Sequence, residues 1–143
     1  LNGLSPIIFG DGSATRDFTF VTDTVESLIR AGECDAFIGQ AVNLAYGQEV
    51  SIQEIAERLL TLLGREDLPI EWRPERPGDV HRHYADVRRL QEGTGYKPSI
   101  AIDEGLKRYV AWFRAHFSNP ATLLSECQTE NWKLTTPQAA PTV

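Results

Sequence analysis

Methionine is absent from the 143 residues, cysteine occurs only twice, and no apolar run approaches the length of a membrane span. Each absence excludes something. A chain without methionine does not start at an encoded initiator, so it is expected to be a fragment, a processed product or an excised segment. Cys34 and Cys127 are too few for a disulfide framework or a zinc site, which points to a reduced, cytoplasmic setting. A spanning helix needs about 20 apolar residues, and the long helical stretch here is broken by Glu54, Glu57 and Arg58. Leu1 to Gly12 has neither the basic lead nor the long apolar core of a signal peptide. Positive charge is also short. Fourteen Lys and Arg against 20 Asp and Glu give a formal charge of -6 and a pI near 5.0, which argues against nucleic-acid and anionic-membrane partners. What remains is ordinary globular composition, 41% hydrophobic and 24% charged, at a length that suits one domain.

Gly and Pro punctuate a mixed pattern. Short strands are expected over residues 6–9, 17–21, 41–45 and 69–72, where apolar, aromatic and β-branched residues cluster between turn signals. Helices are expected near 23–31, 51–63 and 103–115. Asp23 and Glu26 have capping-box spacing, and Val25, Leu28 and Ile29 form an apolar stripe behind them. Ser51 and Glu54 repeat the box ahead of Ile52, Ile55, Leu59 and Leu63, with Gly64 as the stop. Asp86 can cap a short helix through Arg88 to Gln91, and Asp103 can cap the last one, with Leu106, Tyr109, Val110 and Phe113 inward. The fold class that follows is α/β: a small mixed lobe over residues 1–117 with short strands packed by helices and no Rossmann domain. Residues 118–143, rich in Thr, Gln, Asn and Pro, read as a tail with a short helix near Leu123 and Leu124.

Three segments can carry chemistry. Gly10-Asp11-Gly12 offers a Gly-x-Gly, but Thr15 stands where a dinucleotide fingerprint needs its third glycine, and a strand follows instead of a helix. A hairpin turn carrying Arg16 is the plain alternative. Arg76-Pro77-Gly78-Asp79 combines a planar, permanently charged fork suited to phosphate, a glycine that admits a ligand to the backbone, and a carboxylate able to accept from sugar hydroxyls. An ordinary Pro-Gly turn with a solvated ion pair would look the same. Asn43 to Ser51 feeds a capped helix whose N-terminus could attract an anion, although a satisfied cap is the commoner reason for Ser51.

Other candidates fall away. His81 and His83 are two apart, but no acidic or cysteine partner has the spacing to complete a metal site. None of the serines sits in a nucleophile elbow. No tyrosine is followed four residues later by lysine: Tyr46, Tyr84, Tyr96 and Tyr109 lead to Val50, Arg88, Ile100 and Phe113.

In this order the segments resemble one family. Pro6 to Gly12, then Thr15-Arg16-Asp17-Phe18, Val21 and Asp23, are similar to the start of the substrate lobe in extended short-chain dehydrogenases acting on nucleotide sugars, UDP-glucose 4-epimerases among them. Asn43-Leu44, Ser51-Ile52, Arg76-Pro77-Gly78-Asp79, Ala85-Asp86, Gly95-Tyr96-Lys97-Pro98 and Glu104-Gly105-Leu106 continue the resemblance over roughly residues 3–115. The ordered set is specific where each piece alone is weak.

The resemblance implies roles. The backbone near Ile7 and Phe9 would hold the nucleotide base, Arg16 and Arg76 would clamp the diphosphate, Asp79 would bond the ribose hydroxyls, and Phe18 and His83 would line the pocket. It implies a UDP-sugar ligand ahead of other nucleotide sugars and NAD(P) for the full-length family member. Family members carry that cofactor on an N-terminal Rossmann domain with a Tyr-x-x-x-Lys catalytic set, and these 143 residues contain neither. The chain is therefore expected to hold the substrate-positioning half, with no catalytic, cofactor or metal residues of its own, to be inactive alone, and to associate with a Rossmann-domain partner. A free-standing, non-catalytic module that binds a nucleotide sugar or a protein is the alternative, and a structural fragment without activity is a third.

Overall fold

The computed structural model describes residues 3–117. The tail expected over 118–143, its helix near Leu123 and Leu124, and Cys127 lie outside the described residues. Two small sheets and four helices make up the lobe. In the first sheet, β1 (Ile7–Phe9) runs parallel to β4 (Glu71–Arg73), with Ile8 opposite Trp72. In the second, β2 (Thr15–Asp17) lies between β3 (Glu49–Ser51) and β5 (Arg82–His83), antiparallel to the former and parallel to the latter. The helices are α1 (Val21–Gly32), α2 (Ile52–Leu63), α3 (Arg88–Thr94) and α4 (Ile102–His116), with a 3-10 turn at Asp35–Phe37. The mixed α/β lobe expected from the sequence is the fold observed. No helix among the described residues is long and apolar enough to cross a membrane.

Helix α2 follows its sequence signals closely. Ser51 Oγ accepts from Glu54 N–H at 3.1 Å, the Glu54 carboxylate accepts from Ser51 N–H at 2.9 Å, and Gly64 closes the helix in the left-handed region at φ 64°. Only glycine adopts that conformation without a Cβ penalty. The core it helps cover is small, with Ile8, Ala45, Val50, Val87, Leu90 and Val110 buried.

Several expectations need correction. The strand placed at 17–21 is Thr15–Asp17, because Thr15, Arg16 and Asp17 are the residues that meet Ser51, Val50 and Glu49; Val21 already belongs to a helix. Residues 41–45 form no strand, and no neighbouring strand among the described residues offers them a ladder. The Asp23–Glu26 capping box does not form, since α1 starts at Val21 with Phe20 before it. Asp23 is instead 3% exposed and accepts from Tyr96 Oη at 2.9 Å, Ser99 N–H at 3.1 Å and Ile100 N–H at 2.8 Å. Finally, α1 is turned over: its buried residues are Asp23 and Ser27, whereas Val21, Val25, Leu28 and Ile29 are half exposed or more. Tethering Asp23 to the loop before α4 fixes that rotation, because positions four apart share a helix face. On α4, Val110 is buried as expected but Tyr109 is exposed, and Asp103 does not cap the helix: Ala101 precedes its start at Ile102, and the Asp103 carboxylate accepts from Arg58 Nη1 instead.

Candidate functional site

The site is assembled from three pieces of chain that the two sheets bring together. The first is the turn between β1 and β2. Gly10 and Gly12 take φ of 78° and 76°, and the Asp11 carboxylate accepts from Ser13 N–H at 2.9 Å and Ser13 Oγ at 2.6 Å. A Cβ on Gly12 would lie 3.0 Å from both the Trp72 ring and Gln53. This glycine serves close packing, and the strand after it presents no helix N-terminus. The Gly10–Gly12 turn therefore does not fit a dinucleotide pyrophosphate.

The second piece is β2. Arg16 lies opposite His83 in the parallel ladder. Its Nη1 donates to the Thr15 carbonyl at 2.8 Å and its Nη2 to Asp79 Oδ1 at 3.2 Å. Thr15 also donates, through Oγ1, to Glu49 at 2.7 Å. The same carboxylate takes Arg82 Nε at 2.8 Å and Nη2 at 2.6 Å. The Arg82 bonds and then the Thr15 hydroxyl pull the Glu49 carboxyl down to about 2.

The third piece is the loop between β4 and β5. Pro77 presets the turn, Gly78 takes φ 80°, and Asp79 N–H donates to the Arg76 carbonyl at 3.1 Å. Arg76 and Asp79 are thus the two ends of one turn. The Arg76 guanidinium carbon stands 3.8 Å from the centroid of the Phe9 ring, a cation–π stack. His81 Nε2 approaches Glu75 at 3.2 Å. Among the described residues no group of His, Cys, Asp and Glu could hold a metal ion.

Two cavities flank the Arg16–Asp79 pair. One of about 190 Å³ is lined by Phe9, Gly10, Glu75, Asp79 and His81, and one of about 490 Å³ by Arg16, Leu44, Arg82, His83 and Tyr84. Arg16 thus meets Asp79 and lies beside His83, Asp79 shares a cavity with Phe9, and Phe9 carries Arg76. Ile7, two residues up β1 from Phe9, is not in either lining. Phe18 lines a separate cavity of about 280 Å³ with Phe20, Ile100 and Leu106, since the chain leaves the sheet after Asp17. Sequence reasoning missed the Glu49–Arg82 pair. Its one signal is strand register across 33 residues, which a local pattern does not carry.

Comparison with known proteins decides the family. The sequence profile of the family described as GDP-mannose 4,6 dehydratase matches residues 1–109, through all three pieces of the site. The chain belongs to this family of nucleotide-sugar epimerases and dehydratases. A UDP-glucose 4-epimerase of Mycolicibacterium smegmatis is 40% identical over 114 residues, covering 80% of this chain and 36% of that protein. The structure of an epimerase from Methanothermobacter thermautotrophicus superposes with a TM-score of 0.78 at 33% identity, over 82% of this chain and 35% of that one. A UDP-glucuronic acid 4-epimerase from Bacillus cereus, solved with UDP-glucuronic acid and NAD, gives 0.71 at 27% identity, over 77% and 35%. The family member described here thus spans about a third of the length of the relatives it matches.

Proposed function

We propose that residues 1–117 are the nucleotide-sugar-binding lobe of an NAD(P)-dependent epimerase or dehydratase, with a UDP-sugar 4-epimerase first, and that the lobe alone binds without turning over. The observation that carries this reading is the meeting of Arg16 and Asp79, 63 residues apart in sequence, at 3.2 Å between two cavities. Arg76 sits at the other end of the Asp79 turn. In the bound state Arg16 and Arg76 hold the diphosphate, Asp79 accepts from the ribose hydroxyls, and the backbone around Ile7 and Phe9 faces the base. His83 borders the sugar side through the cavity it shares with Arg16; Phe18, in its own cavity with Phe20 and Leu106, takes no part in this pocket. UDP is favoured because relatives bear the names of UDP-sugar enzymes. NAD(P), bound elsewhere, would supply the hydride chemistry.

The exposed apolar face of α1, Val21, Val25, Leu28 and Ile29, supports an association with a Rossmann domain. An unburied stripe of this kind needs a partner. A second reading is a free-standing binding module. The reading frame upstream of Leu1 separates the two: a glycine-rich strand–helix unit belongs to the enzyme, a start codon to the module.

Calorimetric titration of the 143-residue chain with UDP tests the proposal. Saturable, weak binding is expected. Arg16→Ala and Arg76→Ala should each cost about 1.5–3 kcal/mol, the range for hydrogen bonds to charged groups, and the double variant less than their sum because both touch one ligand. No saturation at millimolar UDP, or wild-type affinity in Arg16→Ala, contradicts it.

A further inference from the structure

We infer that residues 118–126 fold back along α4 and seat Leu123 and Leu124 in the apolar cavity between Phe20 and Tyr109. Helix α4 ends in a run of rings. The Tyr109 centroid stands 6.0 Å from that of Trp112 and 6.3 Å from that of Phe113, and Phe113 stands 4.7 Å from Phe117. Spacings of three and four put these rings on one stripe of the helix, yet Tyr109 is 52% exposed and Trp112 47%. At its other end the stripe leads into the cavity of about 280 Å³ lined by Phe18, Phe20, Ile100, Leu106 and Tyr109. A continuous apolar groove open to water marks a contact surface.

The chain itself supplies the cover. Residues 118–143 lie outside the described residues, and they leave the helix at Phe117, the last ring of the stripe. Phe117 has already left helical geometry, at φ -115° and ψ 84°. Asn119-Pro120 follows at once, a pair that initiates turns and limits the entropy lost on ordering. Leu123 and Leu124 come next. Reach agrees with this path. Tyr109 lies about 12 Å back along the helix from Phe117, and the extended chain from Phe117 to Leu123 spans up to about 20 Å. Charge agrees as well. Between Gly105 and Phe117, α4 carries Lys107, Arg108 and Arg114 and no acid, whereas residues 118–132 carry Glu126 and Glu130 and no base. The Arg108 guanidinium leans over the Phe20 ring at 5.7 Å, at the rim of the cavity. A separate molecule would compete with a segment tethered within reach, at an effective concentration of about a millimolar. The inference stands apart from the nucleotide reading.

The test is a double-mutant cycle in denaturant unfolding of the 143-residue chain, with Tyr109→Ser and Leu124→Ser. Serine and tyrosine have similar helix propensity, so Tyr109→Ser does not by itself weaken α4. On an open surface neither change would move stability much. Under the inferred contact each should raise the unfolding constant about tenfold, the low end for uncovering a buried apolar side chain. The double variant should rise hardly further than either single one, because both remove the same contact. As a second readout, Trp112 is the sole tryptophan after Trp72→Phe and Trp132→Phe, and adding Leu124→Ser should increase its quenching by iodide. Additive effects, or either single variant without effect on the unfolding constant, overturn the inference, as does iodide quenching unchanged by Leu124→Ser. A coupling that fades on dilution assigns the groove to a second copy of the chain, because protomer concentration then enters the stability, and overturns it too.

Discussion

Arg16 and Arg76 are held differently, and the difference decides how each responds to substitution. Arg16 is fixed on a strand with two nitrogens engaged, whereas Arg76 rides on a loop against one ring face. Lysine cannot reproduce the fork at Arg16, so Arg16→Lys should recover less than half of the UDP-binding free energy lost in Arg16→Ala, measured by calorimetry. Glu49 sets an acid limit on the site. Its carboxyl lies near 2, against 4.5 ordinarily, because the bonds from Arg82 and then Thr15 favour the charged form. A depressed acid contributes stability that is present above its ordinary value and lost as pH falls through the folded one. Thermal stability should therefore fall as pH drops from 4.5 to 2, and Glu49→Gln should flatten that segment. Tyr96 acts at the other end. Burial, then its bond to Asp23, pushes the phenol from 10.0 to about 12, so its contribution is full below pH 10.0 and fades as pH rises through about 12; Tyr96→Phe should remove that slope. Arg16, Arg76 and Asp79 stand out in the sequence only as parts of an ordered motif set. Their contacts across 63 residues are a product of register, which no local spacing encodes.

At the scale of elements, α2 was legible because all of its determinants are local: a capping box, an apolar period and a terminal glycine. Ser51→Ala should cost about 1 kcal/mol in denaturant unfolding, as losses of N-caps do. Helix α1 shows the opposite case. Its apolar stripe predicts which residues share a face but not which way that face turns, and the three bonds to Asp23 turn it outward. Asp23→Ala leaves the Ser99 and Ile100 N–H groups without their acceptor, so it should destabilise by about 2–4 kcal/mol in the same assay, whereas Tyr96→Phe, which deletes one donor, should cost about 1 kcal/mol. The segment 41–45 failed as a strand for a related reason. Strand propensity is realised only where a ladder exists, and none of the described strands lies beside it.

At the scale of the whole molecule, the chain spans about a third of the length of the relatives it matches, and the proposal above gives it the binding share of their function. The lobe presents arginines, the Asp79 carboxylate and two adjoining cavities, and its Gly10–Gly12 turn is packed against Trp72. The chain is therefore expected to show no thermal shift with NAD(P) and no conversion of UDP-glucose, and a cofactor-dependent shift by the pure chain would contradict the division. The most direct measurement is a crystal structure of the chain with UDP. The diphosphate is predicted between the Arg16 and Arg76 guanidinium groups, with Asp79 released from Arg16 and bonded to the ribose. UDP bound away from Arg16, or an Arg16–Asp79 pair still closed beside it, would contradict the clamp on which the functional reading stands.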